Sequence, residues 1–217
     1  VFDFKPDLLI HLGAHTDLEY CEKEEEDCYK TNTLAVENAC FIANKLMIPI
    51  VYISTAGIFH SDQDTYDDWD TPSPRGNYAR SKYLGEKIVQ SLVPRHFIFR
   101  AGWMMGGGPK KDKKFINKII QQIVSGKKVL HIVNDKFGTP TYTHDFAKNA
   151  LEVVQSEMYG IYNMVCDGLT SRLDVAQEVI QLMGLEDKID LVEVTSEHFQ
   201  ETYFAPRPLS ERLINRK

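Results

Sequence analysis

Three short segments, Asp7-Leu-Leu-Ile-His-Leu-Gly13, Pro49-Ile-Val-Tyr-Ile-Ser-Thr55 and His96-Phe-Ile-Phe-Arg100, constrain the fold of this chain more than anything else in it. Each is apolar nearly throughout rather than alternating, the pattern of a strand buried on both faces. The segments between them read as helical. Glu19 to Lys30 is rich in acids, and from Thr31 to Leu46 the residues Leu34, Val36, Ala39, Cys40, Ile42, Ala43 and Leu46 recur at helical spacing, predicting one long or broken helix. Asn77 to Leu92 predicts a second helix with Tyr83, Leu84, Ile88 and Val89 inward. Strands alternating with helices imply a parallel sheet covered by helices.

The rest of the chain keeps the alternation. Helices are predicted at Phe115 to Val124, at His144 to Gln155 from a start near Thr143, and at Ser171 to Met183, where Ser171 is a suitable N-cap and Gly184 a stop. Short strands are predicted at Val129 to Val133, Ile161 to Val165 and Leu191 to Val194. The tail from Ala205 reads as extended. With 217 residues, 43% of them hydrophobic, the chain is large enough to bury a core. Its net charge of −6 gives no basic face for a nucleic acid, and its longest apolar run, Leu46 to Ile53, is too short for a membrane span. A small-molecule partner is expected. Four scattered cysteines, Cys21, Cys28, Cys40 and Cys166, do not make a disulfide framework, and a cytoplasmic location is the economical reading.

The strongest chemical signal is the strand end Ser54-Thr55, followed 23 residues after Thr55 by Tyr78-Ala-Arg-Ser-Lys82 at the head of a helix. Residues four apart share a helix face, so the Tyr78 phenol and the Lys82 ammonium can point into one cleft. A neighbouring ammonium favours the phenolate and is expected to lower the tyrosine pKa towards neutral values. A Thr55 hydroxyl at the C-terminal end of a parallel strand can hold a substrate oxygen in the crevice where open α/β sheets bind ligands. Tyr-x-x-x-Lys occurs by chance in many helices. Its position after a Ser-Thr strand end and a long polar loop favours the catalytic reading.

Taken together these residues resemble the extended short-chain dehydrogenases/reductases and, within them, the dTDP-4-dehydrorhamnose reductase family. The resemblance is carried by Pro6 to Asp17, Tyr29-Lys-Thr-Asn32, Ile53-Ser-Thr55 with Ile58-Phe59, and Tyr78 to Glu86. Arg100-Ala-Gly-Trp103 with Gly106, Phe137-Gly-Thr-Pro-Thr-Tyr142 with Asp145, and Ala205-Pro-Arg-Pro-Leu-Ser210 with Leu213 extend it over nearly the whole chain. It implies an α/β fold, the C-terminal portion of a Rossmann-like parallel sheet with a small α/β substrate-binding region. It further implies reduction of a nucleotide-linked 4-keto-6-deoxy sugar with NADH or NADPH. Tyr78 would protonate the C4 oxygen as hydride arrives from the nicotinamide. Lys82 would bind the nicotinamide ribose, and Thr55 would hydrogen-bond the reacting oxygen. Ala14, His15, Ala101 and Gly102 would lie along the cofactor, Trp103 would pack on the sugar, and Arg207 would sit near the nucleotide end. A homodimer is the assembly it allows.

The chain also departs from that family. Ala56-Gly57 stands where the rhamnose reductases usually carry an Asp after the Thr, and where sugar-nucleotide dehydratases carry an Asp-Glu pair. An epimerase of the same superfamily stays open as an alternative, as does a non-catalytic regulatory subunit such as that of methionine adenosyltransferase. No Gly-x-x-Gly-x-x-Gly follows a first strand, so the expectation is a fragment lacking the cofactor's phosphate-binding half and inactive by itself. On this reading residues 1–102 are a partial NAD(P)-binding region and 103–217 mostly substrate-binding, with strand 161–165 returning to the main sheet. Gly102 to Pro109 with Lys110, Lys111, Lys113 and Lys114 reads as a loop with solvated lysines. The seven histidines lack metal-ligand spacing, and no metal site is expected.

Overall fold

The computed structural model describes residues 1–112 and 114–217, so Lys113 of the lysine run lies outside the described residues. The strands are β1 (Leu9–His11), β2 (Ile50–Thr55), β3 (His96–Ala101), β4 (Trp103–Met105), β5 (Val129–Val133), β6 (Phe137–Gly138), β7 (Pro140–Tyr142), β8 (Gly160–Met164), β9 (Thr170–Ser171), β10 (Asp190–Val194) and β11 (Ser210–Glu211). The helices are α1 (Leu18–Lys23), α2 (Glu25–Tyr29), α3 (Ala35–Leu46), α4 (Gly76–Leu92), α5 (Phe115–Val124), α6 (Thr143–Gln155) and α7 (Arg172–Leu182).

The main sheet is parallel, in the order β1-β2-β3-β8. Successive residues of a strand face opposite sides, and in β2 and β3 both sides are covered. Ile50, Tyr52 and Ile98 pack with Val36, Cys40, Ala43 and Val89 of α3 and α4. Val51, Phe97 and Phe99 pack on the other face with Phe146 of α6 and Met164 of β8. That two-sided burial is why the segments of β2 and β3 are apolar without alternation; the equally apolar β1, an edge strand, leaves Ile10 exposed.

The helical stretch before β2 is broken. Asp17 caps α1 by accepting from the Tyr20 N–H at 2.9 Å, and a π-helical turn at Lys30–Leu34 separates α2 from α3. α3 stops at Met47, whose φ of 52° takes the chain out of the helical region. Thr143 is the first residue of α6 rather than its cap. Ser171 caps α7 in a reciprocal box with Asp174, and the helix ends at Leu182, before Gly184.

A second apolar cluster forms where the parallel pair β5–β10 packs against α5 and α7 through Ile119, Leu130, Ile132, Ala176 and Ile180. Two small sheets, β11-β6-β9 and β4-β7, join the two clusters. The polar loop after β2 is fastened rather than free. The buried Asp68 carboxylate accepts from the Asn163 N–H at 2.5 Å and the Arg216 N–H at 2.7 Å, while Tyr66 bridges to Leu213. Among the described residues no helix is long and apolar enough to cross a membrane.

Candidate active site

Thr55 ends β2, in register with Ala101 at the end of β3, and its Oγ accepts from the Gly57 N–H at 3.1 Å. The helix that faces it, α4, is started from outside. Glu22 of α1 accepts from the Asn77 N–H at 2.6 Å, placing negative charge at the helix N-terminus where the dipole favours it. Tyr78 and Lys82 follow on one face.

The support beneath them is buried and polar. Asn32, in the π-turn, accepts from the His15 N–H at 2.8 Å and donates both to the His15 carbonyl at 3.1 Å and to Ser81 Oγ at 3.1 Å. Ser81 in turn donates to the Tyr78 carbonyl at 2.9 Å. One side chain therefore clamps the Ala14-His15 loop to the catalytic helix. The His15 ring is held by Asp27 at 2.9 Å and packs on Tyr20.

Lys82 is buried, and its Nζ lies 4.2 Å from the centroid of the Tyr52 ring, whose hydroxyl donates to the Lys82 carbonyl at 3.0 Å. Gly85 permits this packing, because a Cβ there would overlap the Tyr52 hydroxyl. One turn on, Glu86 and Arg100 form a fully buried, two-pronged ion pair at 3.0 and 2.9 Å. Burial lowers the Lys82 pKa to about 8, against the opposing influence of Glu86. The Tyr78 phenol moves opposite to the expected direction. Burial pushes it up to about 12, the Thr55 hydroxyl pulls it down, and Glu211 adds to the rise. Desolvation of the phenolate sets the direction here, and the Lys82 ammonium faces the Tyr52 ring.

The other side of the site comes from the C-terminal segments. Gly102 fits tightly under Thr139 and Val165, which a Cβ would meet at 2.5 and 2.9 Å, and the Trp103 N–H donates back to the Thr139 carbonyl at 3.0 Å. The Trp103 ring lies against Gly138 and under the Arg172 guanidinium, 3.7 Å from its centroid, with Phe115 on the guanidinium at 4.6 Å. The Arg172 backbone N–H donates to the Lys136 carbonyl at 3.0 Å, but among the described residues its guanidinium has no ion pair or hydrogen bond; burial lowers its pKa to about 10, opposed by Glu211. Arg207 is already paired, donating to both carboxylate oxygens of Glu19 at 2.7 and 2.8 Å. Glu19 is partly buried; desolvation pushes its carboxyl up, but the Arg207 guanidinium outweighs this and holds it below the usual range. Among the described residues no cluster of His, Cys, Asp or Glu is placed to hold a metal ion.

The structure thus sets Tyr78 beside the Thr55 hydroxyl and Lys82 one helical turn further on against Tyr52, ties His15 to the same helix through Asn32, and sets Ala101 and Gly102 at the adjacent strand end. Sequence reasoning assigned no role to Asn32, Tyr52, Glu86, Arg172 or Glu211. Two of them carry a signal: Asn32 lies four residues before Val36 and eight before Cys40, and Glu86 four after Lys82, so each puts a polar group on a buried helix stripe.

The model of the RmlD substrate binding domain matches residues 1–217. The dTDP-4-dehydrorhamnose reductase of Salmonella typhimurium is 30% identical over 178 residues, covering 79% of this chain; the chain spans only 58% of that protein's length. Among solved structures, a dTDP-4-dehydrorhamnose reductase from Clostridium acetobutylicum superposes with a TM-score of 0.91 at 30% identity, over 99% of this chain and 74% of that one. The Bacillus anthracis dTDP-4-dehydrorhamnose reductase, solved in complex with NADP, superposes with a TM-score of 0.92 at 27% identity over the same shares, 99% and 74%.

Proposed function

Because the chain belongs to the RmlD substrate-binding domain family, we propose that it carries the catalytic and sugar-binding parts of an enzyme that reduces a nucleotide-linked 4-keto-6-deoxy sugar, like dTDP-4-dehydrorhamnose reductase, using NADH or NADPH. The observation that carries this reading is Thr55 at the C-terminal end of a parallel strand with Tyr78 of α4 beside its hydroxyl and Lys82 one turn further along that helix.

The residues fit a nicotinamide cofactor. Lys82 offers a buried ammonium with no carboxylate in ion-pair contact among the described residues, and His11 Nε2, at the end of β1, is buried without a partner. Ala14, His15, Lys82, Ala101 and Gly102 would hold it, and when bound the reduced nicotinamide supplies the hydride. Thr55 fixes the sugar carbonyl oxygen by a hydrogen bond. Tyr78, raised to about 12, is fully protonated at neutral pH and so present as the acid. Its phenolic proton passes to the carbonyl oxygen, which becomes the product hydroxyl, and the resulting phenolate lies one helical turn from the Lys82 ammonium.

At the nucleotide end, Arg172 is the cation we assign to the diphosphate bridge of the substrate, since its guanidinium is desolvated, stacked and, among the described residues, without a hydrogen-bonded carboxylate. Trp103 reaches the sugar side through Arg172 and Glu211, and Arg207 orders the rim with Glu19. On this reading residues 1–102 carry the chemistry and 103–217 mostly the substrate contacts. Exposed Phe41 of α3 and Leu92 of α4 line a groove of about 380 Å³, and with exposed Leu84 of α4 they favour a homodimer through that face. Free Cys21, Cys28, Cys40 and Cys166 suit a reducing cytoplasm.

The test is oxidation of NADH and NADPH by the full-length protein with dTDP-4-keto-6-deoxy sugars; stoichiometric oxidation with formation of the alcohol is expected. Tightly retained NAD with no net oxidation would establish the epimerase. Co-purification with a larger partner and no oxidation over a panel of keto sugars would establish the non-catalytic subunit.

A further inference from the structure

A carboxylate stands in the site at a place the residues after Thr55 do not predict. Ala56-Gly57 supplies no acid, yet Glu211, from the two-residue strand β11, reaches the same spot from the far end of the chain. A Cβ at position 57 would lie 3.4 Å from Glu211 Oε1 and 3.5 Å from Thr55 Oγ1, so both oxygens border one small space. A Cβ there would be in ordinary contact with both, so a side chain longer than alanine that pointed towards them would compete for the space.

The carboxylate is held in one orientation. Its Oε2 accepts from the Trp103 indole Nε1–H at 2.7 Å, and Trp103 is itself pinned between Gly138 and the Arg172 guanidinium. The β11–β6 pairing sets Glu211 opposite Gly138. Oε1 has no hydrogen-bond partner among the described residues and is not sealed from solvent. Arg172 and Lys136 bear on the carboxylate electrostatically, but neither makes an ion pair with it, and Tyr78 feels its charge. A preset acceptor with one free oxygen, beside the hydroxyl that receives the reacting carbonyl, requires a donor once a ligand excludes water.

We propose that Glu211 is a specificity-determining residue that accepts a hydrogen bond from the sugar hydroxyl adjacent to the reacting carbonyl. The proposal rests on the reductase reading for the identity of the sugar. In a 4-keto-6-deoxy hexose that donor is the C3 hydroxyl. The carboxylate takes no proton from it; the hydroxyl is held, and the carbonyl is thereby registered against Thr55 and Tyr78. Removing such an acceptor, a charged hydrogen bond in a shielded site, corresponds to a loss of roughly 10- to 100-fold.

The experiment compares kcat/KM of full-length wild type, Glu211→Ala and Glu211→Gln on a dTDP-4-keto-6-deoxy sugar and on its 3-deoxy analogue. Expected is a roughly 10- to 100-fold loss for Glu211→Ala on the hydroxylated sugar, almost none on the 3-deoxy analogue, and partial rescue by Glu211→Gln, which keeps an acceptor oxygen. Equal losses on both sugars overturn the proposal, because a structural or acid–base role would not distinguish them. So does loss, in Glu211→Gln, of deuterium uptake from solvent at a ring carbon that wild type exchanges. If wild type oxidises no cofactor with either sugar, the reductase reading fails by itself. Calorimetric binding of the two dTDP-sugars then decides on Glu211: a hydroxyl-dependent loss of affinity in Glu211→Ala upholds it, and equal affinities overturn it.

Discussion

Tyr78 and Lys82 stand on a helix of 17 residues, and Thr55 on a six-residue strand, each packed into a buried face, whereas Trp103 and Glu211 lie in strands of three and two residues, Arg172 opens a helix and Arg207 lies in irregular chain. The first group is positioned by regular elements and by polar groups hidden under them: Asn32, Ser81, Tyr52 and the Glu86–Arg100 pair. The second is positioned by contacts between distant segments, Trp103 with Glu211 across 108 residues and Arg207 with Glu19 across 188. On the proposed function the two groups divide the labour: reaction geometry tolerates little displacement and would sit on rigid elements, while the residues proposed for recognition ride on short connections that can change without disturbing the sheet.

The comparison is most directly broken at Tyr78. Tyr78→Phe in the full-length protein should lower turnover by about 10²- to 10⁴-fold while leaving nicotinamide affinity nearly unchanged, as read by steady-state kinetics and cofactor titration. Retained turnover removes the phenol from the mechanism and with it the claim that this side carries the chemistry. Next in size is Glu86→Ala. It leaves the Arg100 guanidinium buried and unpaired, a loss of about 3–5 kcal/mol by analogy with other broken buried pairs, measurable by denaturant unfolding. A loss under about 1 kcal/mol would show the hidden polar support to be dispensable, erasing the contrast with the other side.

Arg172→Leu sharpens the contrast from the recognition side. The substitution keeps apolar contact with Trp103 and Phe115 but removes the charge. It should raise KM for the nucleotide sugar by about tenfold, leave kcat within a factor of about two, and flatten the dependence of KM on salt. A fall in kcat with KM unchanged would place Arg172 with the chemistry instead.

What the sequence discloses divides along the same line. The parallel sheet is legible because burial on both faces writes itself into continuous apolar runs, and Tyr78–Lys82 because a spacing of four is a local property of a helix. Asn32 and Glu86 are half legible, as polar residues on buried stripes. Arg172 and Glu211 are not legible at all, since neither has a local signature and each acquires its surroundings from segments far away in sequence; the tail from Ala205, extended and short, becomes a strand only by pairing with β6. The direction of the Tyr78 pKa is missed for a related reason. The ammonium was expected to act on the phenol through the i, i+4 spacing, but the burial that opposes it, and the Tyr52 ring that engages Lys82, belong to tertiary structure.

The smallest effect separates two contributions of Tyr52. Tyr52→Phe keeps the ring under the Lys82 ammonium and removes only the hydroxyl that donates to the Lys82 carbonyl. The loss should be about 1 kcal/mol of stability, the net value of one hydrogen bond. The pH profile should not move. Lys82 acts as an ammonium and its pKa is lowered to about 8, so kcat/KM should fall above pH 8, with the limb at the same place in Tyr52→Phe. The sign for stability is the reverse: between about 8 and the ordinary 10.5 the unfolded chain binds the proton that the folded one has released, so the Lys82 contribution to stability rises with pH. An alkaline limb that shifts in Tyr52→Phe would mean that the hydroxyl, and not the ring face, sets the charge of Lys82; the support under the catalytic helix would then act electrostatically as well as by packing.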